Sequence, residues 1–255
     1  MESVASSLKI VITKRLLTFV LMAGFALAEI AGAAEAADSA ETNDIIAHYL
    51  EASQQHAAPA ESSVEVDIAA SIPKLRQDGR LHALRIMSRV GKSSYRVLGF
   101  QGSNTVKSQV IARYLQAEQQ NQGNARLEVT PANYKFRYKG AKVEDGRRVY
   151  VFGLTPRSAA VGLFKGEMWL DAASYLPVYE KGRFSKNPSI FFKKVDFERA
   201  FALQNGHAVP QHMNSVITTR LVGKVELNVN YSNYAESPYP ESEGALPGFG
   251  NLSSR

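Results

Sequence analysis

The most regular stretch of hydrophobic and polar alternation opens after Ser63. Val64, Val66, Ile68, Ala70 and Ile72 alternate with Glu65, Asp67 and Ser71. That period of two predicts a strand with one buried face. Asp78-Gly79 reads as a turn into a returning strand over 81–90, and residues 91–94 turn again into 95–100, which together make a three-strand meander. The period then changes. Past Ser103 or Asn104, the residues Val106, Val110, Ile111, Tyr114 and Leu115 form one helical stripe, with Lys107, Gln109, Arg113 and Gln116 away from it. A polar loop over 119–124 ends this helix. Strand periodicity resumes with Tyr134, Phe136 and Tyr138 against Lys135, Arg137 and Lys139. Asp145-Gly146 is a hairpin signal. The next strand sets Tyr150, Phe152 and Leu154 against Val149 and Val151, and two apolar faces predict a central position in the sheet.

The hairpin over 161–184 organises the rest. Before its turn, Phe164, Gly166, Met168 and Leu170 share one face, and Lys165, Glu167, Trp169 and Asp171 the other. After it, Leu176, Val178 and Phe184 fall on the apolar side, with Tyr175, Tyr179, Lys181 and Arg183 opposite. Asp171 and Ser174 supply the turn chemistry between them. Glu180 breaks the pattern, standing among apolar residues. A long strand over 190–203 follows, with a bulge expected near Phe191 to Lys194. Asn205-Gly206 predicts a type I′ turn, and two last strands run through Ile217 and through Val225 to Tyr231. At the other end of the chain, Thr42 caps a short helix carrying Ile45, Ile46, Tyr49 and Leu50.

These elements predict a mainly β (α+β) fold: an open antiparallel half-barrel sheet, covered on its concave face by amphipathic helices. The apolar face of such a sheet reads either as an ordinary core or as the lining of a hydrophobic cavity. In the second case Phe136, Tyr150, Phe152, Phe164, Met168, Leu170, Leu176 and Val178 are the candidate ligand-binding residues.

Composition narrows the setting. The chain has 255 residues, 45% hydrophobic and 21% charged, which describes a globular protein. It has no cysteine, which removes disulfides, thiolate metal sites, cysteine nucleophiles and a lipidated anchor. Lys14-Arg15 followed by the apolar run 16–28 and by Ala34-Glu35-Ala36 reads as a signal peptide over 1–36, with Ala31-Gly32-Ala33 as another cleavage site and an uncleaved anchor as the alternative. Export without cysteine points to a periplasm. The domain is expected over 37–234, and 235–255, rich in Pro, Gly, Ser and Glu, reads as a disordered tail. A net charge of +6 without a dense basic run allows an acidic partner or anionic lipid and argues against nucleic acid.

Candidate chemistry is sparse. His48, His56, His82, His207 and His212 show no metal-ligand spacing. No nucleophile elbow, phosphate loop or dinucleotide fingerprint occurs, and no credible acid pair supports a glycosidase. Trp169, Tyr175 and Tyr179 offer a sugar-stacking face, against the commoner reading of cross-strand aromatic pairs. No catalysis and no cofactor are expected.

The run Gly166-Glu167-Met168-Trp169-Leu170-Asp171, followed by Tyr175-Leu176-Pro177-Val178, is similar to the strand, Asp, turn, Leu-Pro, strand signature of the LolA/LolB-like superfamily of periplasmic lipoprotein carriers. The order of leader, helix, meander, covering helix and long strands resembles it over about 42–234. The resemblance implies a half-barrel whose concavity holds lipoprotein acyl chains, in outer-membrane lipoprotein sorting. Related members regulate envelope stress or bind other lipids. The missing lipidation cysteine resembles the soluble carriers. The implied function is a non-enzymatic carrier or sensor for lipid or lipoprotein acyl chains. The alternative is an envelope interaction protein with a solid core that binds a protein partner on its surface.

Overall fold

The structure is a computed structural model and describes residues 40–55, 61–88 and 92–236. The expected signal peptide and most of the expected tail lie outside the described residues. The chain divides between Tyr49 and Leu50, inside a helix over 40–55, and every strand belongs to the second part. That helix begins before the expected Thr42 cap; Ile45, Tyr49 and Ala52 form its buried stripe.

Ten antiparallel strands make one sheet: β1 (Ser62–Ile72), β2 (Gln77–Met87), β3 (Ser93–Gly102), β4 (Tyr134–Glu144), β5 (Arg147–Pro156), β6 (Phe164–Asp171), β7 (Pro177–Phe184), β8 (Phe192–Gln204), β9 (His207–Thr219) and β10 (Lys224–Ala235). Their spatial order is β3-β2-β1-β10-β9-β8-β7-β6-β5-β4. Two meanders, β1 to β3 and β4 to β10, are joined where β1 pairs with β10. The sheet does not close, so β3 and β4 are its edges.

Local chemistry explains the turns. Asn205 (φ 50°) and Gly206 (φ 82°) take the left-handed pair that a type I′ hairpin needs, as do Asp145 and Gly146. Asp171 accepts from the backbone N–H of Ala173 and Ser174 at 3.2 and 2.8 Å, and from the Ser174 hydroxyl at 2.9 Å. The β1–β2 turn differs from expectation. Pro73–Leu75 forms a single 3₁₀ turn closed by Arg76 at φ 52°, and Asp78-Gly79 lies inside β2. Proline fixes the turn start, so the Asp-Gly pair is not needed there. β5 also differs: it is second from the edge, with Val149 buried opposite the buried Asp171.

The covering helix starts on a Ser103 cap whose hydroxyl accepts from Thr105 N–H at 3.2 Å. It runs through Asn104–Val106, widens into a π-turn at Lys107–Ile111, and continues as Ala112–Asn121. Val106, Val110, Ile111, Tyr114 and Leu115 join a core with Val66, Ile68, Leu81, Leu227 and Val229, so the helix packs over β1, β2 and β10. Each fully buried apolar side chain there contributes about 1.5–3 kcal/mol. Gly79 makes room for the cap region, since a Cβ there would meet Phe100 and Val106 at 3.2 Å.

Candidate functional site

Pairing carries one apolar row across the whole sheet: Tyr138, Phe152, Met168, Glu180, Arg199, Met213, Val229, Ile68, Leu81 and Phe100 are successive partners from β4 to β3. The β3–β10 part lies under the covering helix. The β4–β7 part carries all eight candidate residues. Phe152, Met168 and Leu170 are completely buried, Phe164 and Leu176 nearly so, and Phe136, Tyr150 and Val178 are half-buried.

The structure sorts these eight into two groups. Over β4 and β5, rings step along the face: Phe136 to Phe152 at 6.0 Å, Phe152 to Tyr138 at 5.3 Å, Tyr138 to Tyr150 at 6.3 Å and Tyr150 to Tyr175 at 5.9 Å. Met168 and Leu170 stand beside them, opposite Phe152 and Tyr150. Phe164 belongs elsewhere. It packs on Phe197 at 5.0 Å and Tyr134 at 5.7 Å, and its backbone N–H donates to the Tyr134 hydroxyl at 3.2 Å. Gly182 makes room for the Phe164 ring, from which a Cβ there would lie 2.7 Å. Val178 sits where the β6–β7 register slips between Trp169–Tyr179 and Leu170–Pro177.

Tyr175 is a correction. Alternation assigned it to the polar side, but it takes φ 58° in the turn and stacks on Tyr150 of the apolar face. A left-handed residue resets side-chain direction, which parity counting ignores. The sugar-stacking reading loses its platform accordingly. Trp169 and Tyr179 are cross-strand partners with centroids 4.4 Å apart, and the Lys142 ammonium sits 3.3 Å over the indole.

Glu180 also resolves. It is buried on the apolar face, opposite Met168 on one side and Arg199 on the other. Arg199 Nε lies 3.2 Å from Glu180 Oε2 yet lacks hydrogen-bonding alignment, so the attraction is chiefly Coulombic. Sequence reasoning flagged the glutamate and missed its arginine, because the partner lies on the next strand.

A second polar cluster fastens the covering helix. Tyr95 donates to Glu118, Arg85 approaches the same carboxylate at 3.7 Å, and the Tyr114 and Tyr231 hydroxyls meet at 3.1 Å. Burial, reinforced by the Glu118 charge, pushes the Tyr231 phenol up to about 12. Burial raises Tyr95 and Tyr114 further. All remain neutral donors at physiological pH.

Among the described residues no three His, Asp or Glu side chains converge on a metal position. His82 lies within 3.9 Å of Glu65 and 3.7 Å of Asp67 on a half-buried part of the sheet, and His212 bonds Asn230 at 2.6 Å. No helix of the described residues is long and apolar enough to cross a membrane.

No protein-family model matches the chain, and no curated protein matches it. Solved structures do. A domain assigned to outer membrane lipoprotein sorting from Vibrio parahaemolyticus is 12% identical, with 74% of this chain and 91% of that one covered and a TM-score of 0.39. A DUF1329 family protein from Desulfovibrio piger is 8% identical over 79% and 94%, TM-score 0.38. A LolA superfamily protein from Nitrosomonas europaea is 12% identical over 78% and 94%, TM-score 0.35. At such identities and TM-scores the likeness transfers neither activity nor residue roles.

Proposed function

We propose that the chain is a non-enzymatic periplasmic carrier that takes the acyl chains of lipid or lipoprotein on its apolar sheet face. Phe136, Tyr150, Phe152, Met168, Leu170, Leu176 and Val178 form the lining, and Phe164, packed on Phe197, stands beside it. One observation carries this reading. The apolar row continues across all ten strands, whereas the covering helix packs over the β1, β2 and β10 region. An acyl chain laid over β4 to β6 gains roughly 0.8 kcal/mol per buried methylene. The rings there are broad and apolar, and their tyrosine hydroxyls suit an ester or amide at the chain's head.

The test is a fluorescent fatty-acyl probe titrated into the protein. Wild type should bind saturably, Met168→Glu should lose binding, and Trp169→Glu, on the opposite face, should keep it. Met168→Glu will fail to fold if the site is solidly packed, so Phe136→Asp on half-buried edge strand β4 serves as the second variant. The rival reading is a solid core with a protein partner at the surface. The complete burial of Phe152, Met168 and Leu170 favours it. A folded wild type that binds no acyl probe would select that rival.

A further inference from the structure

The opposite face of the same strands holds a feature that acyl binding does not use. Its polar row runs Arg137, Gly153, Glu167, Lys181, Glu198 and Asn214 from β4 to β9. Along it lies a depression of about 720 Å3. A second, of about 620 Å3, shares Thr155, Lys165 and Arg183 with the first and continues to Arg157 and Ser158.

The charges of this groove do not balance. Glu167 takes Lys139 at 2.6 Å and Lys181 at 3.2 Å; Asp196 takes Arg183 at 2.6 Å and Lys194 at 3.1 Å. Each carboxylate is countered twice, which leaves a positive surplus beside it. Glu198 is held by neutral donors, the Tyr179 hydroxyl at 2.9 Å and Asn214 at 3.0 Å. Arg137 and Lys165 are exposed and make no ion pair among the described residues. The local field shows in Glu167 itself: hydrogen bonds from Lys139, then Lys181 and Trp169, outweigh burial and hold its carboxyl at about 2.

We propose that this groove docks an extended acidic segment of a partner protein. Two physical points choose that occupant. The cations without an ion pair are spread rather than convergent: Arg137 is on β4, Lys165 on β6, and Arg157, whose Nε donates to the Pro131 carbonyl at 2.7 Å, beyond the end of β5. Arg137 and Lys165 lie two strand spacings and two residues apart, roughly 12 Å in all, and every fourth side chain of an extended peptide repeats at about 13–14 Å, so two of its carboxylates can meet both cations. A single small anion would reach only one of them. The carboxylates of the floor also repel a continuous phosphate backbone, which wants an uninterrupted basic track.

Fluorescence anisotropy with a labelled 12-residue peptide of alternating Glu and Ser tests this. The full chain should bind it at about 50 mM salt and release it at about 500 mM, where the Debye length has fallen to a few ångströms. Arg137→Glu/Lys165→Glu should weaken binding on the order of tenfold or more, and Arg137→Ala/Lys165→Ala less. Arg113→Glu/Lys224→Glu makes the same charge change at exposed positions outside the groove and should stay within about twofold of wild type. All these positions are exposed, so melting temperatures should be unchanged. The proposal is overturned if wild type does not bind the peptide, or if the control pair weakens binding as much as the groove pair. It is also overturned if phosphatidylglycerol vesicles or a single-stranded oligonucleotide of equal charge bind better and depend on the same two cations.

Discussion

Glu180 and Arg199 place an ion pair in the middle of an apolar row, and the energy of that pair can be worked from its surroundings. The Glu180 side chain is 9% exposed and that of Arg199 38%. Removing one partner of a fully buried pair costs about 3–5 kcal/mol, because the other charge is left uncompensated. Arg199 is more than a third exposed, so solvent already screens part of the attraction. We therefore expect Arg199→Met to cost about 2 kcal/mol. Glu180→Leu should cost about 1 kcal/mol or less, because the freed guanidinium can turn to water. The double variant should recover to within about 1 kcal/mol of wild type, since Leu and Met suit a face bordered by Met168 and Met213. The cycle thus predicts a coupling of about 2 kcal/mol in urea unfolding, or a midpoint shift of about 1 M for Arg199→Met at an m-value of about 2 kcal/mol/M. Single-variant effects that add to within about 0.5 kcal/mol would refute the reasoning. The two side chains would then be solvated separately rather than paired.

Two further outcomes follow from the hairpin. Gly166→Ala puts a Cβ 1.9 Å from the Lys181 carbonyl oxygen, so the β6–β7 pair must separate, and soluble yield and melting temperature should both collapse. Gly146→Ala, with open space around its Cβ, should pay only for its left-handed φ and serves as the comparison. Glu167 ionises at about 2 in the fold against an ordinary 4.5, so its contribution to stability is present above about pH 4.5 and lost as pH falls towards 2. Glu167→Gln should flatten that part of the acid limb in melting temperature against pH; an unchanged limb would mean that Lys139 and Lys181 do not hold the carboxylate.

The sheet was legible because its alternation is locally complete: each strand from 64–72 to 225–231 carries its own parity, and the Asn205-Gly206 and Asp145-Gly146 turns carry their own backbone requirement. Parity also found the apolar face and most of its lining. It failed where the chain left strand geometry. Tyr175 turned over at φ 58°, and Pro73 took the turn assigned to Asp78-Gly79. The cross-strand partners were not legible at all. Arg199 for Glu180 and Arg85 for Glu118 lie 19 and 33 residues away, and only the pairing of strands or the docking of the helix brings them together. The groove on the polar face was hidden for another reason: its cations read as an ordinary solvated side until their carboxylates could be assigned.

The connection between the two meanders says why the apolar face should be the inner one. β3 and β4 are consecutive strands yet sit at opposite edges, and nine strand spacings of a flat sheet would put them about 43 Å apart. The covering helix does not cross that distance. It starts at Ser103 beside Asp78 and ends where Gln122 accepts from the Ser93 backbone N–H at 2.8 Å, so it runs back along β3. Residues 122–134 must make the whole crossing. Fully extended they would span about 40–43 Å, but they are not extended: Leu127 N–H bonds Asn124, Tyr134 N–H bonds Thr130, and the Asn133 side chain bonds the Ala125 and Glu128 carbonyls. A connection folded in this way is too short for a flat sheet, so the sheet has to curl until its edges approach. The helix at the start of that connection packs on the apolar face. The curl therefore closes towards that face, and the β4–β6 aromatic residues turn inwards, where an acyl chain would be sheltered from water.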